Sequence, residues 1–172
     1  MKNILLITYC LCTLSIYAQT PEEKIEALGI ELFTPTAPSA NFVKAVRTGN
    51  LVFLAGHGSC DGEGNCVFGK VGSDLTIEEG NQAARLTAIN LLSSLKAEIG
   101  DLNKVKRIVR VFGMVNSAPE FYDQPKVING CSDLLVEIFG EEKGKHARAA
   151  VGMVSLPINL AVEIEMVVEI EE

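Results

Sequence analysis

Apolar and polar residues alternate along the chain in a way that separates strands from helices. Two short apolar runs, at residues 42–46 and 51–55, flank a Thr-Gly-Asn turn at residues 48–50 and predict an antiparallel hairpin. Three longer runs predict further strands, at residues 105–115, 147–155 and 160–170.

Helical spacing of apolar residues marks two long segments. One begins with a capping box at Thr76 and continues to Gly100, a residue type that commonly ends helices. The second covers residues 123–139 and ends at Gly140. A shorter helix is predicted over residues 21–28.

The order of these elements is strand, strand, helix, strand, helix, strand, strand. This order predicts an α+β fold in which the two main helices pack on one face of a mixed sheet. Two helices cannot cover both faces of such a sheet, so we expect another copy of the chain to cover the second face. A single domain accounts for residues 19–172.

The first 18 residues have the pattern of a secretory signal peptide. Lys2 precedes an apolar stretch at residues 4–17, and the small residue Ala18 precedes the expected cleavage point. The sequence therefore predicts a protein exported to the periplasm or secreted. The alternative is an uncleaved signal that anchors the protein in a membrane.

The charge of the chain limits its partners. The formal net charge is −7, which disfavours nucleic acid, since binding to phosphates depends on lysine and arginine. Because 48% of the residues are hydrophobic, the chain is expected to fold into a packed core.

Three cysteines remain after the predicted signal peptide. Cys60 and Cys66 flank a glycine-rich loop, and in an oxidising compartment they either form a disulfide or remain two free thiols. Cys131 lies on the apolar side of the second long helix and is expected to be a buried hydrophobic residue. A metal site would need His57 as a third ligand beside the two loop cysteines, and none is predicted.

The last quarter of the chain contains the strongest candidate chemistry. Arg148 lies within an apolar run, and Glu163 lies in the next apolar run, after a turn containing Pro157. If the two strands are neighbours, both side chains line a small pocket that binds an acidic ligand and positions a water molecule. The alternative is an internal salt bridge from Arg148 to Glu163 or Glu165.

Two further residues are candidates for the same pocket. His57 lies between two glycines at the end of a strand, where it either lines the pocket or forms local hydrogen bonds. Asn129 precedes Gly130 inside the second long helix and is either a polar contact at the pocket or a solvent-facing residue. Gly130 is expected to allow close packing of this helix on the sheet.

Taken together, these residues resemble the Rid family, also called the YjgF or L-PSP family. The resemblance extends from about residue 38 to 170 and rests on six segments in the same order: RTGNLVFLAGH (47–57), GKVGSDLT (69–76), NGCS (129–132), HAR (146–148), SLP (155–157) and VEIE (162–165). The resemblance implies a chorismate-mutase-like fold and a homotrimer with sites between subunits.

The same resemblance implies hydrolysis of 2-imino acids to 2-oxo acids and ammonia, without a cofactor. In the family pattern, Arg148 binds the substrate carboxylate and Glu163 positions the attacking water. The family's other pocket positions fall on Phe42, Gly56 and Asn129, while His57 replaces the glutamine that many members have after the strand-end glycine.

Export of this chain favours, as alternatives, another small acid as substrate or a trimer that only binds a small carboxylate. An endoribonuclease activity, also attached to the family, is disfavoured by the acidic charge. Chorismate mutase activity ranks last, because only the fold suggests it.

Overall fold

A single mixed sheet of five strands forms the centre of residues 19–171, the part of the chain that the computed structural model describes. The strands are Ala45–Thr48 (β1), Leu51–Gly58 (β2), Val105–Asn116 (β3), Ala147–Met153 (β4) and Val162–Ile170 (β5). Their order in the sheet is β1-β2-β5-β3-β4. Only β3 and β4 are parallel to each other, and the other neighbours are antiparallel.

Three helices accompany the sheet: Pro21–Ala27 (α1), Ile77–Ile99 (α2) and Gln124–Gly144 (α3). The predicted capping box at the start of α2 is present, with the Thr76 side chain accepting from the backbone of Glu79. In α3 the backbone leaves helical geometry at the predicted stop, Gly140, where φ is 77°. One further helical turn follows as far as Gly144. Two 3₁₀ turns lie at Leu102–Lys104 and Pro157–Asn159.

The two faces of the sheet differ in what covers them. Leu54, Val111 and Met166 face α2 and α3 and are buried in the main core. Phe53 and Val167, which pair across β2 and β5, point to the other face. That face is open to solvent, and Phe53 is 44% exposed. The predicted α+β architecture, with both main helices on one face, is therefore confirmed.

The first strand begins later than its apolar run predicts. Phe42 and Val43 precede β1 and are more than half exposed, because the chain enters the sheet only at Ala45. The hairpin turn itself lies at residues 49 and 50, where Gly49 has a φ of 58°.

Gly130 packs against α2 and not against the sheet, so that part of the prediction was wrong. A Cβ at Gly130 would overlap the backbone oxygen of Asn81. The glycine that brings α3 close to the sheet is Gly113 of β3, where a Cβ would overlap the side chain of Ile128. These two glycines set how closely α3 approaches its neighbours.

Cys60 and Cys66 form a disulfide across the loop that follows β2. Cys131 is a free cysteine, fully buried in the core as predicted, and burial raises the pKa of its thiol to about 12. The predicted signal peptide lies outside the described residues. Within residues 19–171, none of the helices has the length and apolar character required to cross a membrane.

Candidate functional site

Arg148 lies on β4, which is an edge strand, and its side chain extends toward α3. Its Nη1 atom donates hydrogen bonds to Asn129 Oδ1 at 2.8 Å and to Ser132 Oγ at 3.1 Å. Asn129 and Ser132 are three residues apart on α3 and therefore share one side of the helix. The Asn129 side chain is thus a hydrogen-bond partner of Arg148, and its role in a pocket stays a prediction.

A second hydrogen-bonded residue lies behind Ser132. His146 Nε2 is 3.1 Å from Ser132 Oγ, and His146 Nδ1 is 2.7 Å from the backbone oxygen of Gly144. Burial, and to a smaller extent the charge of Arg148, lower the pKa of His146, although its bond to Gly144 opposes this shift. The lowered pKa favours the neutral form of the imidazole.

Arg148 and Glu163 are not neighbours within one chain, contrary to the pocket expected from adjacent strands. Strand β3 lies between β4 and β5. Arg148 pairs with Val111, whose side chain faces the helices, whereas Glu163 pairs with Met114 on the opposite face. At a strand spacing of about 4.8 Å, the two backbones are separated by about 10 Å across the sheet.

The salt-bridge alternative is also wrong within one chain. Among residues 19–171, no carboxylate lies within ion-pair distance of the Arg148 guanidinium. The guanidinium is nevertheless fixed by two neutral oxygen atoms and exposed to solvent. An exposed, oriented arginine without a counter-charge is suited to bind a carboxylate or phosphate from outside the chain.

Glu163 lies on the open face of β5, beside β2. It pairs with Gly58, and a Cβ at Gly56 would overlap its Oε1 atom. Burial, followed by the charge of Glu165, raises the pKa of the Glu163 carboxyl above its ordinary value. A carboxylate with a raised pKa accepts protons more readily, which is the property required of a general base. Gly56 therefore belongs to the same part of the site as Glu163.

His57 does not line a pocket and is a correction to the predicted site. It is only 4% exposed, and its ring contacts the Ala55 backbone oxygen and Ser94 Oγ, both at 2.7 Å. A bulge between Leu54 and His57 adds one residue to β2. Because strand side chains alternate between faces, the extra residue turns His57 from the open face to the helix face.

Phe42 lies in the exposed segment before β1, on the side of the sheet opposite β4. The predicted site residues thus fall into two groups. Phe42, Gly56 and Glu163 lie on or next to β1, β2 and β5. Asn129 and Arg148 lie at the β4 edge. No group of three metal-binding side chains is found within the described part of the chain.

Sequence reasoning assigned no role to Ser132 and His146. Two signals point to them: Ser132 is one helical turn from Asn129, and His146 lies just before β4, two residues ahead of Arg148. Neither signal shows which residue of a helix contacts which residue near a strand.

A mixed sheet in this strand order, with two helices on one face and an arginine on the edge strand, defines a YjgF-like α+β protein. The chain belongs to the YjgF/L-PSP family: residues 22–170 match the family model described as "YjgF/chorismate_mutase-like, putative endoribonuclease".

Similar proteins come from distant organisms. The chain is 42% identical over 146 residues to Protein TCP17 of Trypanosoma cruzi, covering 85% of this chain and 91% of that protein. It is 42% identical to the protein Atu1372 of Agrobacterium tumefaciens, of unknown function, with a TM-score of 0.80 and coverage of 89% and 94% of the two chains.

Two further structures have the same fold. One is described as a "putative endoribonuclease" from Shewanella oneidensis, with 32% identity, a TM-score of 0.84 and coverage of 88% and 100%. The other is RidA from an Antarctic Psychrobacter, with 22% identity, a TM-score of 0.53 and coverage of 80% and 94%. The similarity to RidA shows the fold alone.

Proposed function

We propose that this protein hydrolyses 2-imino acids to 2-oxo acids and ammonia at a site shared between subunits of a homotrimer. The observation that carries the proposal is Arg148: an exposed guanidinium, oriented by Asn129 and Ser132, with no carboxylate paired to it in the described chain. Family membership supports the reaction class, because RidA imine deaminases share the fold.

In the proposed reaction, Arg148 binds the substrate carboxylate and holds the imine carbon in place. Glu163 accepts a proton from water as the water oxygen bonds to that carbon, and it then gives this proton to the nitrogen, which has received the C=N π electrons. The resulting carbinolamine then expels ammonia and forms the C=O group, so that one water is consumed for each ammonia released. The imine carbon is already electrophilic, so catalysis depends on positioning and charge stabilisation.

The two halves of the site lie on different parts of the sheet in one chain, which supports a site between subunits. On this proposal, the Arg148 half of one subunit faces the Gly56 and Glu163 half of the next. The open face of the sheet, with Phe53 and Val46 exposed, supports contact with further copies of the chain.

The test measures hydrolysis of freshly generated 2-iminopropanoate by the purified mature chain and by two variants. Arg148→Ala and Glu163→Gln are each expected to lose at least about 99% of kcat/KM. Wild-type rates for Arg148→Ala would overturn the mechanism.

Mixing the two inactive variants tests the location of the site. Unfolding and refolding an equal mixture should restore activity at about one quarter of the sites, because one interface in four combines an intact Arg148 with an intact Glu163. A site contained within one chain would give no recovery.

Binding without turnover is the second candidate, favoured by the Cys60–Cys66 disulfide. Disulfides persist in oxidising compartments, which supports the predicted export to the periplasm or outside the cell. Imino acids form on pyridoxal-phosphate enzymes, which the family resemblance places in the cytoplasm. Saturable binding of pyruvate with no hydrolysis of the imine would favour this candidate, and cleavage of RNA would favour the endoribonuclease description of the Shewanella relative.

A further inference from the structure

The hydrogen bonds of Arg148 divide its guanidinium into a used and an unused edge. Nη1 carries two hydrogens and has two acceptors, Asn129 Oδ1 and Ser132 Oγ. The donors that remain for a ligand are therefore those on Nε and Nη2. These two nitrogens present parallel N–H groups, which match the two oxygen atoms of a carboxylate.

The direction of the hydrogen bonds behind Ser132 follows from chemistry. The Gly144 backbone oxygen can only accept, so the Nδ1 atom of His146 carries the ring proton. Nε2 of the neutral ring is then an acceptor, and the Ser132 hydroxyl donates its hydrogen to it. The lone pairs of Ser132 Oγ remain directed to Arg148.

We propose that Ser132 and His146 are positioning residues for Arg148, which hold Nη1 and leave the Nε–Nη2 edge to bind the ligand carboxylate side-on. His146 fixes the Ser132 hydroxyl as a donor to the ring, so that the serine oxygen faces the guanidinium as an acceptor. The identity of the ligand in this inference rests on the proposed function. Ser132 and His146 themselves make no direct contact with the reacting atoms.

The chain contains a matched pair for comparison. His57 also contacts a backbone oxygen two residues earlier through Nδ1, and its Nε2 is 2.7 Å from Ser94 Oγ. This pair is buried and has no arginine attached to its serine. Ser94→Ala therefore removes a serine–histidine hydrogen bond of the same kind far from Arg148.

The kinetic test compares Ser132→Ala, His146→Ala and Ser94→Ala with the wild type, using 2-iminopropanoate for turnover and pyruvate for binding. The first two variants are expected to raise KM and the pyruvate Kd about tenfold while changing kcat by less than about threefold. Ser132→Thr, which keeps the hydroxyl, should recover most of the affinity. Ser94→Ala should leave KM unchanged.

Equal KM and Kd values in Ser132→Ala and wild type would overturn the inference, as would an increase of the same size in Ser94→Ala. A fall in kcat with unchanged KM would also overturn it, because that result assigns Ser132 to the chemical step.

A measurement without ligand separates this inference from the proposed function. The ¹⁵N relaxation of the Arg148 Nε–H group, assigned from its loss in Arg148→Lys, should report a rigid side chain in the wild type and a mobile one in Ser132→Ala. If the wild type neither binds pyruvate nor hydrolyses the imine, yet Arg148 loosens in Ser132→Ala, the proposed function fails and the positioning role stands. If Arg148 is already mobile in the wild type, or stays rigid in Ser132→Ala, the positioning role fails.

Discussion

The carboxylate of Glu163 occupies the space that a side chain at residue 56 would fill. Only a glycine at position 56 leaves room for Oε1, which approaches the β2 backbone within the bulge between Leu54 and His57. The absence of a side chain at this position therefore determines where the proposed general base lies.

Gly56→Ala should displace the Glu163 carboxylate without unfolding the protein. The overlapping atom is the end of a flexible side chain, so the carboxylate moves and the backbone stays in place. We expect kcat/KM for 2-iminopropanoate to fall about hundredfold, while the free energy of unfolding changes by less than about 1 kcal/mol. Urea denaturation and imine kinetics measure the two effects. An active Gly56→Ala variant would show that the observed position of Glu163 is not required.

The raised pKa of Glu163 predicts a dependence of stability on pH. Because burial and then the charge of Glu165 raise this pKa in the folded chain, the unfolded chain releases the proton at a lower pH. Stability contributed by protonated Glu163 is thus present below the ordinary carboxyl pKa and is lost as the pH rises through the raised value. Glu163→Gln should increase the free energy of unfolding at neutral pH and change it little in acid. A Glu163→Gln variant that is less stable than wild type at neutral pH would contradict this account.

Gly130→Ala should destabilise the contact between α2 and α3. Here the overlapping atom belongs to the Asn81 backbone, which cannot rotate away, so the helices must separate. The expected loss in free energy of unfolding is about 1–3 kcal/mol, measured by urea denaturation. Asp133→Ala, an exposed change three residues further along α3, is the control and should have an effect within about 0.5 kcal/mol.

The disulfide should stabilise the folded chain by reducing the conformational entropy of the unfolded chain. Replacing both Cys60 and Cys66 by serine is expected to lower the free energy of unfolding by about 2 kcal/mol, the value for a short closed loop. Reductant should reduce the stability of the wild type by a similar amount and leave the double variant unchanged. Equal sensitivity of both proteins to reductant would assign the effect to another group.

The open sheet face should control assembly. Phe53→Glu places a charge on the β2 part of this face, and the trimer proposed above is expected to dissociate to monomers in sedimentation velocity experiments. Gln82→Glu adds the same charge on the exposed side of α2 and should leave the assembly intact. A trimeric Phe53→Glu variant would show that the subunits meet through a different surface.

The sequence predicted most of the fold because its helix signals are local. The capping box at Thr76 and the glycine at 100 specify where α2 begins and ends, and Gly140 specifies where α3 leaves helical geometry. The alternation in residues 162–170 likewise separates the buried face of β5 from the open one. Each of these features depends only on neighbours along the chain.

The errors arose where distant segments meet. The placement of β3 between β4 and β5 separates Arg148 from Glu163, and no local pattern specifies that strand order. The sequence does not reveal the single extra residue before His57, because the alternation of side chains between the two faces continues on either side of it. The Ser132–His146 contact joins α3 to the residue just before β4 and was missed for the same reason.

The division of the proposed site between the β4 edge and the opposite half of the sheet also has a consequence for how its specificity can change. On the proposed assembly, the arginine half selects for an acid, whereas the segment carrying Phe42 meets the rest of the ligand from another subunit. Phe42 precedes the first strand and is 55% exposed, so packing in the core constrains its side chain little. Substitutions at Phe42 can change which ligand side chain is accepted. The binding of the ligand carboxylate by Arg148, on a different edge of the sheet, is then unchanged.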